Sequence, residues 1–292
     1  MLNNNSFINS ALLGIAFIWG ITFVIVQDAI STLEPFTFNF VRFSLASLLI
    51  FLYLLISQNG KFNFSTLRSQ FRAGSFLGFL LFMGYALQTF SLLYTTSGKA
   101  GFLTGLSVAI VPIISYFVLK QRPTYQGVFG AALAVFGLFL LAFTDLSVVN
   151  IGDLLALFCA FAFGFHIVYT GKFSSQSAVL NLVLVQLITV AVLSGIFGFI
   201  YEPTLDLDNI LHPEVISALL ITSLFATALA FIAQTYFQKS VSAAIADFFW
   251  NGHTLGMRAV IGCLLILMGM LFAEIPIMRY LPSLKPKNEN NM

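Results

Sequence analysis

Long apolar runs dominate the chain, broken at short intervals by Gly, Pro and charged residues. Ser10–Val26, Phe43–Ile56, Ala100–Leu119 and Val128–Phe143 are near-continuous apolar stretches. A helix that crosses the hydrocarbon of a bilayer needs about 20 predominantly apolar residues. In lipid a spanning segment must satisfy its own backbone N–H groups, so only helices and closed barrels cross. None of these runs alternates polar with apolar positions as barrel strands do, and they therefore predict helices. Runs and breakers together place helices near 7–29, 36–56, 72–94, 100–119, 124–143, 152–171, 178–201, 214–238, 240–250 and 256–278. The expected fold class is an all-α integral membrane protein of ten helices, the ninth truncated.

Composition excludes a soluble fold: 59% of residues are hydrophobic and 8% charged, against about 25% charged in soluble domains. A net charge of +2 implies no nucleic-acid partner. Cys159 and Cys263 fall inside apolar helices, are not spaced as metal ligands and give no sign of pairing. No cofactor motif is present, so neither a cofactor nor a metal is expected. Met1–Asn9 lacks the basic start of a secretory leader, so the first helix reads as retained.

Charge sets the orientation. With the N-terminus inside, the cytoplasmic loops and tail receive Lys61, Arg68, Arg72, Lys120, Arg122, Lys172, Lys239, Arg279, Lys285 and Lys287, ten of the 13 basic residues. The other side receives Glu34, Asp145, Asp153, Glu202, Asp206, Asp208 and Glu214. This positive-inside bias predicts a multi-pass protein of the cell membrane with a cytoplasmic N-terminus and a basic cytoplasmic tail over 279–292.

The chain also resembles itself. Ala16-Phe17-Ile18-Trp19-Gly20-Ile21-Thr22 in the first predicted helix matches Ala160-Phe161-Ala162-Phe163-Gly164-Phe165-His166 in the sixth. Gln88-Thr89-Phe90 in the third matches Gln234-Thr235-Tyr236 in the eighth, and Gly130 and Gly137 match Gly262 and Gly269. The first two matches lie at offsets of 144 and 146 and occur in chain order, which points to a duplication: 7–143 and 152–278, five helices each. Five helices per copy make the second copy enter from the opposite face, the inverted-repeat plan of secondary transporters, whose sites lie between the repeats near the midplane.

Trp19-Gly20, Pro35-Phe36 leading to Phe40-Val41-Arg42-Phe43, the run Tyr94-Thr95-Thr96-Ser97-Gly98-Lys99-Ala100-Gly101-Phe102-Leu103-Thr104-Gly105, and Val111-Pro112 together resemble the drug/metabolite transporter superfamily, specifically its ten-helix EamA-type permeases. The likeness covers nearly the whole chain. It implies a carrier of amino acids or other small metabolites, often outward, through a central cavity between the halves. It also implies alternating access, with the third and fourth and the eighth and ninth helices closing the cavity ends.

One departure stands out. Gln88 to Gly130 spans 42 positions, but Gln234 to Gly262 spans 28, so the second half is shorter by about 14 residues before its last helix. Only Ser240–Trp250 is left for the ninth helix, about 16 Å at 1.5 Å per residue, against about 30 Å of hydrocarbon. Three explanations stay open: a deletion variant, a natural degenerate member, or a ninth helix completed by irregular backbone.

The candidate substrate-binding residues are Trp19, Arg42, Tyr85, Gln88, Tyr94, Lys99, His166 and Gln234. Arg42, seven residues into its helix, either snorkels or ties that helix to a neighbour's carbonyls, or it meets a substrate carboxylate. Lys99 puts a cation at a helix N-terminus, where the dipole disfavours it, so a substrate anion, Asp28 or Glu34 is expected to compensate. Trp19, Tyr85, Gln88, Tyr94 and Tyr116 offer aromatic and amide groups, either as cavity wall or as ordinary packing; Tyr85 and Gln88, three apart, share a face. His166 stands at the repeat position of Thr22, either as a proton relay or as a helix-to-helix hydrogen bond. Asp247 sits in the stunted ninth helix without an acidic counterpart in the first half. Gly14, Gly78, Gly84, Gly101, Gly105, Gly130 and Gly137 read mostly as packing surfaces, the last two backing a neighbour or a second protomer, which leaves a homodimer open.

A membrane-embedded enzyme would need paired aspartates, a metal-binding histidine run or a nucleophile with its base. His166, His212 and His253 fall on different segments and no acidic pair shares a helix core. A channel would favour rings of like charge or filter-like loops, and an inactive variant would follow from the shortened ninth helix. The reading adopted is a carrier, not an enzyme, whose partners are a small amphipathic solute and the lipid bilayer.

Overall fold

Most helices of this chain are apolar on every side, the pattern of segments that face lipid as well as protein. The computed structural model describes residues 18–57, 64–120, 132, 150–174, 178–202 and 207–232. The helices are α1 (Ile18–Ala29), α2 (Pro35–Ser57), α3 (Phe64–Ser91), α4 (Ser97–Gly105), α5 (Ser107–Leu119), α6 (Ile151–Ser174), α7 (Val179–Tyr201) and α8 (Pro213–Ile232), with a single turn at Leu207–Ile210. Among the described residues there is no strand, and six segments are long and apolar enough to span a bilayer: α2, α3, Ser97–Val118, α6, α7 and α8. The protein is an all-α membrane protein, as its apolar runs predict. Large side chains left outward, such as Phe199 at 90% exposure and Ile56 at 77%, have lipid as their natural neighbour.

Two boundaries differ from the sequence reading. The third helix starts at Phe64, not near 72: the turns carrying Arg68 and Arg72 are polar, but helical hydrogen bonding does not end where hydropathy does. The stretch 100–119 is two helices meeting at Leu106, and α5 carries Pro112, whose ring and missing N–H disturb the carbonyl four residues back. The predicted helices near 124–143, 240–250 and 256–278, residues 7–17 of the first, and the tail lie outside the described residues, as do Asp247, Cys263, Gly130 and Gly137.

Within α8, Thr222–Leu229 is a π-helix, flanked by α-helix on both sides. Such segments hold one extra residue per turn and occur disproportionately at functional sites.

Helices from early and late in the chain interleave. α3 packs against α6 and α7, and α2 packs against α7 and the π segment. Close approach comes from glycine: a Cβ on Gly74 would lie 2.6 Å from Val185 Cβ, and one on Gly78 would lie 2.7 Å from the Gln186 carbonyl oxygen. Phe43, Ala46, Ile50 and Leu54, all on one face of α2, meet Leu81, Leu184 and Leu187 in the core between these helices.

Polar fastenings hold one end of the bundle. The Glu202 carboxylate, just past α7, accepts from the N–H groups of Phe36 and Thr37 and from the Thr37 hydroxyl at 2.6, 2.8 and 2.6 Å, so it caps α2. Gln27 donates to the carbonyls of Leu92 and Thr95, both at 2.8 Å, and accepts from the Ser97 N–H, holding the α3–α4 turn. Thr95 in turn donates to Asp153 at 2.6 Å.

Candidate functional site

Between these helices lies a small cavity of about 70 Å³. It is a narrow pocket, and a solute of metabolite size needs its walls to part. α1 contributes Trp19, Thr22 and Phe23, α2 contributes Arg42, and α3 contributes Leu81, Tyr85 and Gln88. Spacings of three and four place these side chains on one face of each helix. The α4–α5 junction adds Gly101, Thr104, Gly105 and Ser107, α6 adds Phe163, His166 and Ile167, and α8 adds Phe231. The helix interruption at Leu106 thus occurs where backbone lines a cavity, the setting in which irregular backbone is tolerated at membrane depth.

Arg42 is the cation of this wall. It is 2% exposed, and its Nε donates to the Thr227 hydroxyl at 2.9 Å. Its Cζ lies 4.9 Å from the ring centroid of Tyr85 and 5.3 Å from that of Phe43. Aromatic faces stabilise a desolvated cation by about 0.5–2 kcal/mol each. Arg42 therefore ties α2 to α8 through a hydroxyl, not through carbonyls, and it faces the cavity as well.

Aromatic rings frame the rest. Tyr85 packs against Phe163 with centroids 5.3 Å apart and against Phe231 at 6.2 Å, and Trp19 lies 6.2 Å from Phe231. The Trp19 indole donates to the Ala226 carbonyl of the π segment at 2.9 Å. A second polar group stands on α6: His166 Nε2 is 2.8 Å from Gln186 Oε1 and 3.4 Å from the Thr170 hydroxyl. Gln186 is 1% exposed, and its Nε2 has no hydrogen-bond partner among the described residues. Apolar walls with a few convergent polar groups suit an amphipathic solute with an anionic end.

Of the eight candidates read from the sequence, Trp19, Arg42, Tyr85, Gln88 and His166 line this cavity. Tyr94 does not: it is 55% exposed at the fastened end of the bundle, where its carbonyl accepts from Asn150 at 2.9 Å. Lys99 is half-buried in the first turn of α4, its backbone N–H accepted by the N-capping Thr96 hydroxyl at 3.3 Å, and it is not among the lining residues. Gln234 lies outside the described residues. Gly101 and Gly105, expected as packing surfaces, line the cavity, whereas Gly78 and Gly84 do pack, against α7 and Phe163.

Phe163, Ile167 and Phe231 were not singled out by the sequence, yet a signal for them existed. Trp19, Thr22 and Phe23 moved by 144 positions give Phe163, His166 and Ile167, and Tyr85 moved by 146 gives Phe231. All eight line the cavity. The same shift of 144 carries α2, Pro35–Ser57, onto α7, Val179–Tyr201, and Arg42 onto Gln186.

Comparison with known proteins places the chain. An Archaeoglobus fulgidus protein named an uncharacterized transporter is 36% identical over 234 residues, covering 79% of this chain and 70% of its own length. The uncharacterized transporter YoaV of Bacillus subtilis is 21% identical over 241 residues, 81% of each chain. A protein crystal structure at 18% identity superposes with a TM-score of 0.70 over 94% of this chain and 99% of its own, a likeness of fold alone. The profile of the EamA-like transporter family matches residues 6–143 and again 150–250. The chain therefore belongs to the EamA-like transporter family, as a multi-pass membrane protein with a small solute as its cargo.

Proposed function

We propose that this chain is a secondary carrier that moves small amphipathic metabolites, amino acids first among them, outward across the cell membrane by alternating access. The N-terminus is cytoplasmic, and residues 7–143 and 152–278 are two inverted copies of one five-helix unit. The observation that carries this reading is the cavity lining. Repeat-equivalent pairs, Trp19 with Phe163, Thr22 with His166, Phe23 with Ile167 and Tyr85 with Phe231, meet around one space. A site on the axis between inverted halves is where rocking of one half against the other exposes it to each side in turn.

Contacts between helices support the same plan. Exchanging each helix for its copy turns the α3–α7 contact into the contact of α8 with α2, and α3–α6 into that of α8 with α1. In the cavity, Arg42 binds the anionic end of the solute, while Trp19, Tyr85 and Gln88 cover its body and His166 offers a second polar contact. Arg42 fits this role because a guanidinium meets a carboxylate with two parallel donors.

The test is counterflow in proteoliposomes preloaded with single amino acids. Saturable accumulation of the same labelled amino acid supports the proposal. Uptake that never saturates, or a large passive conductance, removes it in favour of a channel.

A further inference from the structure

We propose that Thr227 is a positioning residue for Arg42, and that the π register of Thr222–Leu229 serves to place it. The inference rests on the reading of the cavity as the transport site. Thr227 is fully buried, and its hydroxyl donates at 2.8 Å to the carbonyl of Thr222, five residues back. In an ordinary α-helix a threonine hydroxyl returns to the carbonyl three or four residues back; a reach of five follows the π spacing. A hydroxyl has one hydrogen. Once that hydrogen is committed to Thr222, only lone pairs are left toward α2, and Arg42 Nε supplies the matching N–H at 2.9 Å.

The consequence is orientation. The bond at Nε fixes the guanidinium at its stem, and the Tyr85 ring centroid lies 4.9 Å from its Cζ. The same π segment receives the Trp19 indole on the Ala226 carbonyl, so one irregular stretch of α8 sets two cavity walls on α1 and α2.

The internal repeat argues that the hydroxyl is there for the arginine and not for packing. Thr227 moved back by 146 positions is Leu81, which is also fully buried and lines the cavity. Arg42 moved forward by 144 is Gln186. An aliphatic side chain serves at this position in the half whose neighbouring helix has the neutral amide, and a hydroxyl stands where that helix has the cation.

The test uses full-length protein labelled with ¹⁵N-arginine in lipid nanodiscs, with the Arg42 Nε–H resonance identified by its loss in Arg42→Lys. Thr227→Val removes the hydroxyl at nearly constant volume. The expected result is a displaced resonance whose hydrogen exchange is faster by about tenfold, the size of a hydrogen bond to a charged group, with Thr227→Ser restoring the native behaviour. If Thr227→Val does not purify as a single species, Thr227→Ala provides the same comparison. In counterflow of labelled leucine, the Val variant is expected to raise KM by about fivefold with the maximal rate kept. An unchanged Arg42 resonance in Thr227→Val, or a Ser variant that behaves like Val, overturns the proposal. Failure of the wild-type protein to exchange leucine or any other amino acid strikes the carrier reading instead, and the resonance still decides the role of Thr227.

Discussion

Replacing Arg42 by methionine separates the stability of this protein from its transport. The arginine is 2% exposed, and the substitution removes a hydrogen bond to Thr227 and two aromatic contacts. The lost bond is worth about 1.5–3 kcal/mol for a charged donor, and each ring about 0.5–2 kcal/mol. Against this stands the cost of holding a cation in an apolar interior, several kcal/mol, which methionine does not incur. Buried ion pairs replaced whole by apolar residues of similar volume commonly leave stability unchanged or raise it by about 1–4 kcal/mol, and the partner Arg42 leaves behind, the Thr227 hydroxyl, is neutral. Methionine is unbranched and adapts to the Phe43 and Tyr85 surfaces, while Thr227 keeps its bond to the Thr222 carbonyl. The unfolding temperature in detergent is therefore expected to hold or rise. Solute exchange should fall by about 100-fold, since losing one partner of a buried charged contact costs about 2–5 kcal/mol. Thermal unfolding followed by Trp fluorescence, alongside counterflow on the same preparation, reads both. A variant that unfolds many degrees earlier, or one that exchanges solute at the native rate, refutes the reasoning.

Three further outcomes follow from the same structure. Gly78→Ala brings a Cβ to 2.7 Å from the Gln186 carbonyl oxygen, an immovable backbone atom, so thermal unfolding should show a loss of about 1–3 kcal/mol; a neutral result would mean that α3 and α7 are not so close. Glu202→Gln keeps the shape but not the second acceptor oxygen for the α2 N-terminus, and a loss of about 1–2 kcal/mol in the same assay is expected, which an unchanged midpoint would contradict. A tag on the 279–292 tail should be cut by protease added to inverted vesicles, because the positive-inside bias predicts a cytoplasmic tail; protection of the tag would mean an odd number of crossings.

Much of the fold was legible because lipid imposes a simple rule: a spanning segment is apolar, long and helical. The runs around 36–56, 152–171 and 178–201 reappear as α2, α6 and α7 within a few residues. The site was legible by residue type but not by helix rotation. In a soluble helix the apolar stripe reveals which side faces inward, but these helices are apolar all round. Sequence therefore could not tell that Arg42 and His166 turn into the cavity while Lys99 and Tyr94 stay near the bundle end. The internal offsets carried the missing information, since Phe163 and Phe231 follow from Trp19 and Tyr85 by shifts of 144 and 146. The π segment had no such signal: nothing in the sequence of Thr222–Leu229 marks its register, and the residues it meets across the bundle, Arg42 and Trp19, lie 185 and 207 positions away in the chain.

The most direct test of the central claim, that solute passes through the cavity between the two halves, is side-specific labelling of one cavity position. Cys159, whose sulfur lies 3.7 Å from the Thr104 hydroxyl, and Cys263 are first replaced by alanine, and Thr104→Cys is then introduced. In vesicles of defined orientation, a membrane-impermeant thiol reagent is applied from one side or the other, with and without saturating leucine. Labelling from either side that leucine suppresses and that abolishes counterflow is the predicted result. Labelling that leaves exchange untouched would place the route elsewhere and contradict the account.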